Sequence, residues 1–205
     1  MNLTLNGLTA LRVIRAIRGK ALPGSLQRRC DLASPDPSPS ARWTKNRLVK
    51  AVDHLRPTID YPSHKLDVLV GSSDQRLQTK GIRCTYRTRE YPSQAFVDTG
   101  NGIVVSGPEL VFVELARVMD PAVHLLLGME LCGRFSRSAI NPRSGTVTYD
   151  IEPATSVERL RAFVREAHWI RGAEQALATI DEIARMPGHP QRRSSPHSSL
   201  CLTTR

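Results

Sequence analysis

Residues 104–133, VVSGPELVFVELARVMDPAVHLLLGMELCG, decide how this chain folds. Ser106 and Glu109 stand three apart at the head of an apolar run, the spacing of a capping box. There a hydroxyl and a carboxylate satisfy amide N–H groups that the first helical turn leaves unpaired. Pro108 suits the same turn, which needs no N–H from it. The spacing predicts a helix through Leu110, Phe112, Val113, Leu115 and Ala116 to about Met119, apolar on more than one face and so buried between a sheet and a neighbour. Asp120-Pro121 then caps a second helix ending near Gly133. In two consecutive buried helices, Glu109, Glu114 and Glu130 read as structural carboxylates.

Upstream the period is that of strands. KLDVLVG (65–71), GIRCTYR (81–87), QAFVDTG (94–100) and GIVVSG (102–107) are short runs bounded by Gly, Ser or Asn. Thr99-Gly100-Asn101-Gly102 joins the last two in a hairpin, its glycines supplying the positive φ that a tight turn demands. The expectation is a small, mainly antiparallel sheet. Downstream, GTVTYDI (145–151) reads as a strand, TSVERLRAFVREAHWI offers Thr155 and Glu158 as another capping box, and GAEQALATIDEIARM is an amphipathic helix.

Ahead of the sheet, LTALRVIRAIRGK (8–20) has a helical pattern that Thr9 caps and Gly19 stops. Leu11, Ile14 and Ile17 fall near one face, and Arg12, Arg15 and Arg18 on others. TKNRLVKAVDHL, from Thr44, looks like a second short helix. The layout expected is a basic N-terminal helix region (1–30), a Pro/Ser linker (31–43), an α+β domain (44–186) and a disordered basic tail (187–205). The fold class is α+β: N-terminal helices, a small sheet, then a helical segment.

Charge follows this layout. The net charge of +10 is uneven: residues 1–50 hold ten Lys and Arg against two acids, 51–184 fifteen against seventeen, and 185–205 four against none. A basic arm neutralises phosphates while the neutral body stays unattracted; the competing reading is a solvated surface that binds nothing in particular. Cys30, Cys84, Cys132 and Cys201 form no C-x-x-C pair, so neither a zinc knuckle nor a dense disulfide framework is indicated. A reducing, cytoplasmic setting is the simpler expectation. Glu114, Asp120 and Glu130 break the apolar stretches well short of the roughly 18 to 20 residues a membrane span needs. The Arg-rich, acid-free start lacks a secretory core, although it also suits an organellar transit peptide.

Catalytic patterns are missing their residues. A metal-dependent nuclease needs carboxylates converging on Mg²⁺ with a [DE]-x-K lysine beside the water, and none of Lys20, Lys45, Lys50, Lys65 and Lys80 has an acid two positions before it. Asp74-Gln75-Arg76 is the nearest approach. His124 and Cys132, eight apart on an apolar helix, read as core residues rather than metal ligands. Ser106 is not flanked as a nucleophile elbow, and Gly100, Gly102 and Gly107 are not in G-x-G-x-x-G order. The expectation is no enzyme, no cofactor and no metal.

One pattern nevertheless resembles a known group. Thr9 to Arg15 (TALRVIR), DVLVGSSDQRLQTKGIRCTYR (67–87) and GIVVSGPELVFVELARVM (102–119) occur here in an order that resembles the upstream region of bacterial, actinobacterial-type proteins. These are related to AbiEi-type antitoxins and very-short-patch-repair-like endonucleases. The resemblance covers residues 8 to about 180 and rests on degenerate motifs. In the nuclease branch a start like Ser195-Pro196 leads into the nuclease core, whereas His197 and Ser198 follow here with no acid. The resemblance therefore implies an upstream domain without its catalytic half, through truncation or a frameshift. It also implies a non-catalytic, DNA-associated protein touching phosphate through Arg12, Arg15, Arg18, Arg28, Arg29, Lys45, Arg47 and Lys50. The alternative is an interaction module that binds a cognate toxin or a second copy through helices 108–133.

Overall fold

Leu3–Leu5, too short to carry a readable period, form a strand, β1, near the middle of a six-stranded sheet. The structure is a computed structural model and describes residues 3–31, 44–59, 64–71, 75–77, 80–86, 89–100 and 102–186. The expected linker, apart from Asp31, and the expected tail lie outside the described residues. The sheet order is β2 (Arg29–Cys30), β5 (Phe96–Gly100), β6 (Ile103–Ser106), β1, β3 (Leu66–Val70) and β4 (Ile82–Tyr86). It is mixed: three of the five pairings are antiparallel, while β1–β6 and β3–β4 are parallel. The four strands read between residues 65 and 107 are all present. Gly100 and Gly102, at φ 83° and 72°, flank the expected hairpin turn.

This order overturns the separation of residues 1–30 from the domain. A strand between β6 and β3 cannot leave without exposing two ladders, so β1 and the helix after it, α1 (Gly7–Arg18), belong to the core. Leu11, Val13, Ile14 and Ile17 join Leu3 and Leu5 in the main hydrophobic cluster.

The opening stretch forms α4 (Pro108–Ala116) and α5 (Pro121–Cys132). Leu110, Val111, Phe112, Val113 and Leu115 are all buried, each contributing about 1.5–3 kcal/mol of apolar transfer. Asp120 caps α5 as expected, its carboxylate accepting from Ala122 N–H. The two helices are followed by a short antiparallel pair, β7 (Phe135–Arg137) and β8 (Val147–Tyr149), then α6 (Val157–Glu166) and α7 (Ala173–Arg185). α7 passes close to α5 at Gly128, where a Cβ would lie 2.3 Å from Ile183 Cδ1 and 3.0 Å from the Phe112 ring. The remaining helices are α2 (Lys45–Ala51), N-capped by the Thr44 hydroxyl on Arg47 N–H, and the single turn α3 (Arg56–Ile59).

Three expected caps are corrected. Gly107, not Ser106, precedes α4 without a side-chain cap; Ser156, not Thr155, caps α6; and α1 starts after Asn6, with Thr9 accepting from Asp67 N–H of β3. Of the displaced side chains, Glu109, Thr9 and Thr155 bond across 46 or more residues, and Ser106 bonds to Glu114 of α4. Tertiary hydrogen bonds won over local capping because each of these groups is buried and must be satisfied there.

Candidate nucleic-acid interface

The eight basic residues expected on phosphate have three fates. Arg15 and Arg18 converge on α5. The Arg15 guanidinium donates through Nε and Nη2 to the two carboxylate oxygens of Glu130 at 2.9 and 2.7 Å, with side-chain exposures of 9% and 1%. Ser136 Oγ and Arg137 N–H complete the carboxylate's shell. Arg18 donates to three carbonyls, Glu130, Gly133 and Glu152, and so ties the end of α5 to the segment before α6. Burial lowers the Arg18 pKa, a shift that Glu130 opposes.

Arg29 is similarly committed. Its Nη1 and Nη2 donate to Glu109 of α4 at 2.7 and 3.2 Å, where Thr155 Oγ1 also donates and Arg159 Nε lies at 3.4 Å. Burial alone raises the pKa of each glutamate, and the facing arginines reverse it, so both end below the usual carboxylate value. The expected phosphate contacts at Arg15, Arg18 and Arg29 are therefore interior clasps. Each arginine meets its carboxylate or carbonyls 80 or more residues away, a pairing no local pattern records.

Arg12 is half-buried and donates through Nη1 to the Ile59 carbonyl of α3. Arg28, on the β2 edge, is exposed and meets Asp98 at 3.2 Å. Lys45, Arg47 and Lys50 are all exposed on α2, a helix with no acid of its own. Sequence reading missed a further basic element. The β7–β8 ribbon displays Arg134, Arg143 and the 70%-exposed Tyr149, with Phe135 and Tyr149 paired across its outer face. Its signal was half legible: β8 was read and β7 was not.

His124 is buried and stacked on Phe112 at 4.1 Å; Nε2 faces the Phe112 carbonyl and must donate to it, leaving Nδ1 toward Thr179 Oγ1. Burial lowers its pKa, holding it neutral. Burial pushes the Cys132 thiol up to about 12, far from a reactive thiolate. Among the described residues no helix is long and apolar enough to cross a membrane. No family model, curated protein or solved structure matches this chain.

Proposed function

We propose that this is a non-catalytic, DNA-associated cytoplasmic protein, akin to antitoxin or endonuclease-accessory domains. The observation that carries the reading is the cationic surface left once the clasped arginines are set aside. Lys45 and Lys50 stand exposed on one acid-free helix. Exposed cations of this kind bind phosphate by releasing counterions, so affinity falls steeply with salt. Titrating duplex DNA against the protein at increasing salt tests it: binding at low salt that weakens with salt and with Lys45→Ala/Lys50→Ala is expected, and no binding at low salt ends the proposal. Purified protein incubated with plasmid and Mg²⁺ should leave it un-nicked.

A second reading has its own observation. Val118, Val123, Leu126 and Met129, in and just before α5, keep large exposed apolar side chains, 64% of Val118 among them. Such side chains suit a toxin or a second copy better than water. Light scattering that reports a dimer, with no DNA binding, favours this reading over the first.

A further inference from the structure

The registers of β6, β1 and β3 place three polar side chains in a row. Leu5 pairs with Val105 on one side and Val68 on the other, so the next residues along, Asn6, Ser106 and Asp67, lie side by side at one end of the sheet. All three are buried. Glu114 of α4 reaches into this row. Its Oε2 accepts from Gly7 N–H, the first amide of α1, at 2.9 Å; its Oε1 meets Ser106 Oγ at 3.4 Å and Asn6 Nδ2 at 3.5 Å.

Two features do not fit an ionised Glu114. The first is the length of the Oε1 contacts. Both come from neutral donors at the far limit of hydrogen-bond length, where Glu130 and Glu109 each take an arginine through both oxygens at 2.7–3.2 Å. The second is Asn6 Oδ1, which is buried with no donor facing it. A buried acceptor left unmade gives up its water with nothing in return. One change pairs Oε1 with Oδ1 and turns Nδ2 to the place Oδ1 now holds. The two ends of an Asn amide are near-isosteric; exchanging them puts Oδ1 where Nδ2 now stands, facing Oε1.

We propose that Glu114 is a neutral carboxylic acid in the folded protein and donates its hydroxyl to Asn6 Oδ1, making the junction of β1, β6 and α4 a proton-binding latch. The surrounding charges agree. Asp67 is the anion here: Arg83 Nε donates to its Oδ1 at 2.6 Å and Leu8 N–H to its Oδ2 at 3.1 Å. Its charge and the burial both disfavour a second anion beside it. The other charged or titratable groups around α4 are spoken for, Glu130 by Arg15, Glu109 by Arg29 and Arg159, and His124 by the Phe112 carbonyl. The α1 N-terminus favours the anion, and burial of the carboxylate opposes it. Burial accordingly pushes the Glu114 pKa up to about 7.

The sign follows. A folded value above the unfolded 4.5 means that the folded chain holds an extra proton, so the latch stabilises below that value and is lost as pH rises toward about 7. The test is denaturant unfolding of the full chain and of Glu114→Gln from pH 4.5 to 8.5. Gln is a permanent stand-in for the neutral acid, its Oε1 accepting from Gly7 and its Nε2 donating to Asn6. The folding constant of the unaltered protein relative to Glu114→Gln should fall by on the order of a hundredfold across that range; a pH-independent ratio overturns the proposal. Where Glu114→Gln does not fold, selective ¹³C labelling reads the Glu114 carboxyl in the unaltered protein. A midpoint near neutrality, shared by the Asn6 side-chain amide resonances, is expected. A midpoint near 4.5, or an Asn6 amide that ignores the titration, sinks it.

Discussion

Two basic stretches of similar composition meet opposite fates in this molecule. Between Arg15 and Arg29 three arginines are drawn inside; between Lys45 and Lys50 two lysines and an arginine stay in water. The difference lies in what the fold brings opposite them. α1 and β2 run against α4 and α5, whose inward faces carry Glu130 and Glu109, while α2 joins the rest through little more than Leu48. Residue type contributes too, since the planar guanidinium fork is weakly hydrated and matches a carboxylate bidentately, which an ammonium cannot do. Net charge read along a sequence therefore overstates the charge available to a partner. The Arg15 and Arg29 clasps each take one distant anion inside with the cation, and Arg18 is spent on carbonyls.

The sharpest way to break this contrast is to cut the arginine from each ion-paired clasp in turn. Removing one member of a buried ion pair typically costs about 3–5 kcal/mol, because the other charge is left uncompensated. Arg15→Ala should approach that cost, since Glu130 is left only a hydroxyl and an amide N–H as donors. Arg29→Ala should cost less. Glu109 keeps the Thr155 hydroxyl and the Arg159 guanidinium, and Arg29 itself leaves Nε buried without a partner. Denaturant midpoints of the two variants measure the order; equal losses, or none, would mean that the clasps are not what separates the stretches. Replacing Arg15 and Glu130 together with Met should restore much of the loss, because no buried charge then remains unpaired.

Acid sharpens the same comparison. Glu109 and Glu130 have folded pKa values below the unfolded 4.5, so their stabilisation is complete above that pH and is lost as pH falls through the folded values. Glu114 runs the other way, gaining its proton as pH drops from about 7. Acidification from pH 8 should first raise stability and then, below about 4.5, lower it. Melting temperature against pH shows the maximum or its absence; a monotonic fall from pH 8 would mean that the clasped carboxylates alone govern the profile.

Much of the fold was legible because its period is. The four strands from Leu66 to Ser106, both buried helices and the two amphipathic helices at the end repeat every two or every 3.6 residues, and tertiary packing used those faces as they stood. What was not legible is what repeats too few times or pairs too far away. β1 and β7 are three residues each. Arg15 reads as solvent-facing because Leu11, Ile14 and Ile17 define the apolar stripe beside it, and only a glutamate 115 residues later turns its face inward. Capping boxes failed for the same reason: Ser106 and Glu109 have the right spacing, yet Glu114 and Arg29 claim them first. Of the expected interface, the α2 residues kept the exposure their sequence suggests, because that helix buries only Leu48.

The smallest stability effect, and the most informative about function, is therefore expected on α2. Lys45, Arg47 and Lys50 project from a helix anchored by Leu48, so exchanging all three for Ala should change unfolding free energy by no more than about 0.5 kcal/mol each. Ala also propagates a helix at least as well as the residues it replaces, which leaves charge as the variable altered. On DNA the result should be different in kind. Every cation taken off a phosphate flattens the slope of log affinity against log salt by about 0.9, so the triple variant should flatten it by up to roughly 3 while leaving sequence preference unchanged. Isothermal titration at several salt concentrations, with the variant's unfolding curve measured alongside, separates the outcomes. An unchanged slope with intact stability would place the phosphate-binding cations elsewhere, the Arg134 and Arg143 ribbon being next to test. A large loss of stability would mean that α2 belongs to the core after all, and that the contrast between the two basic stretches is one of degree.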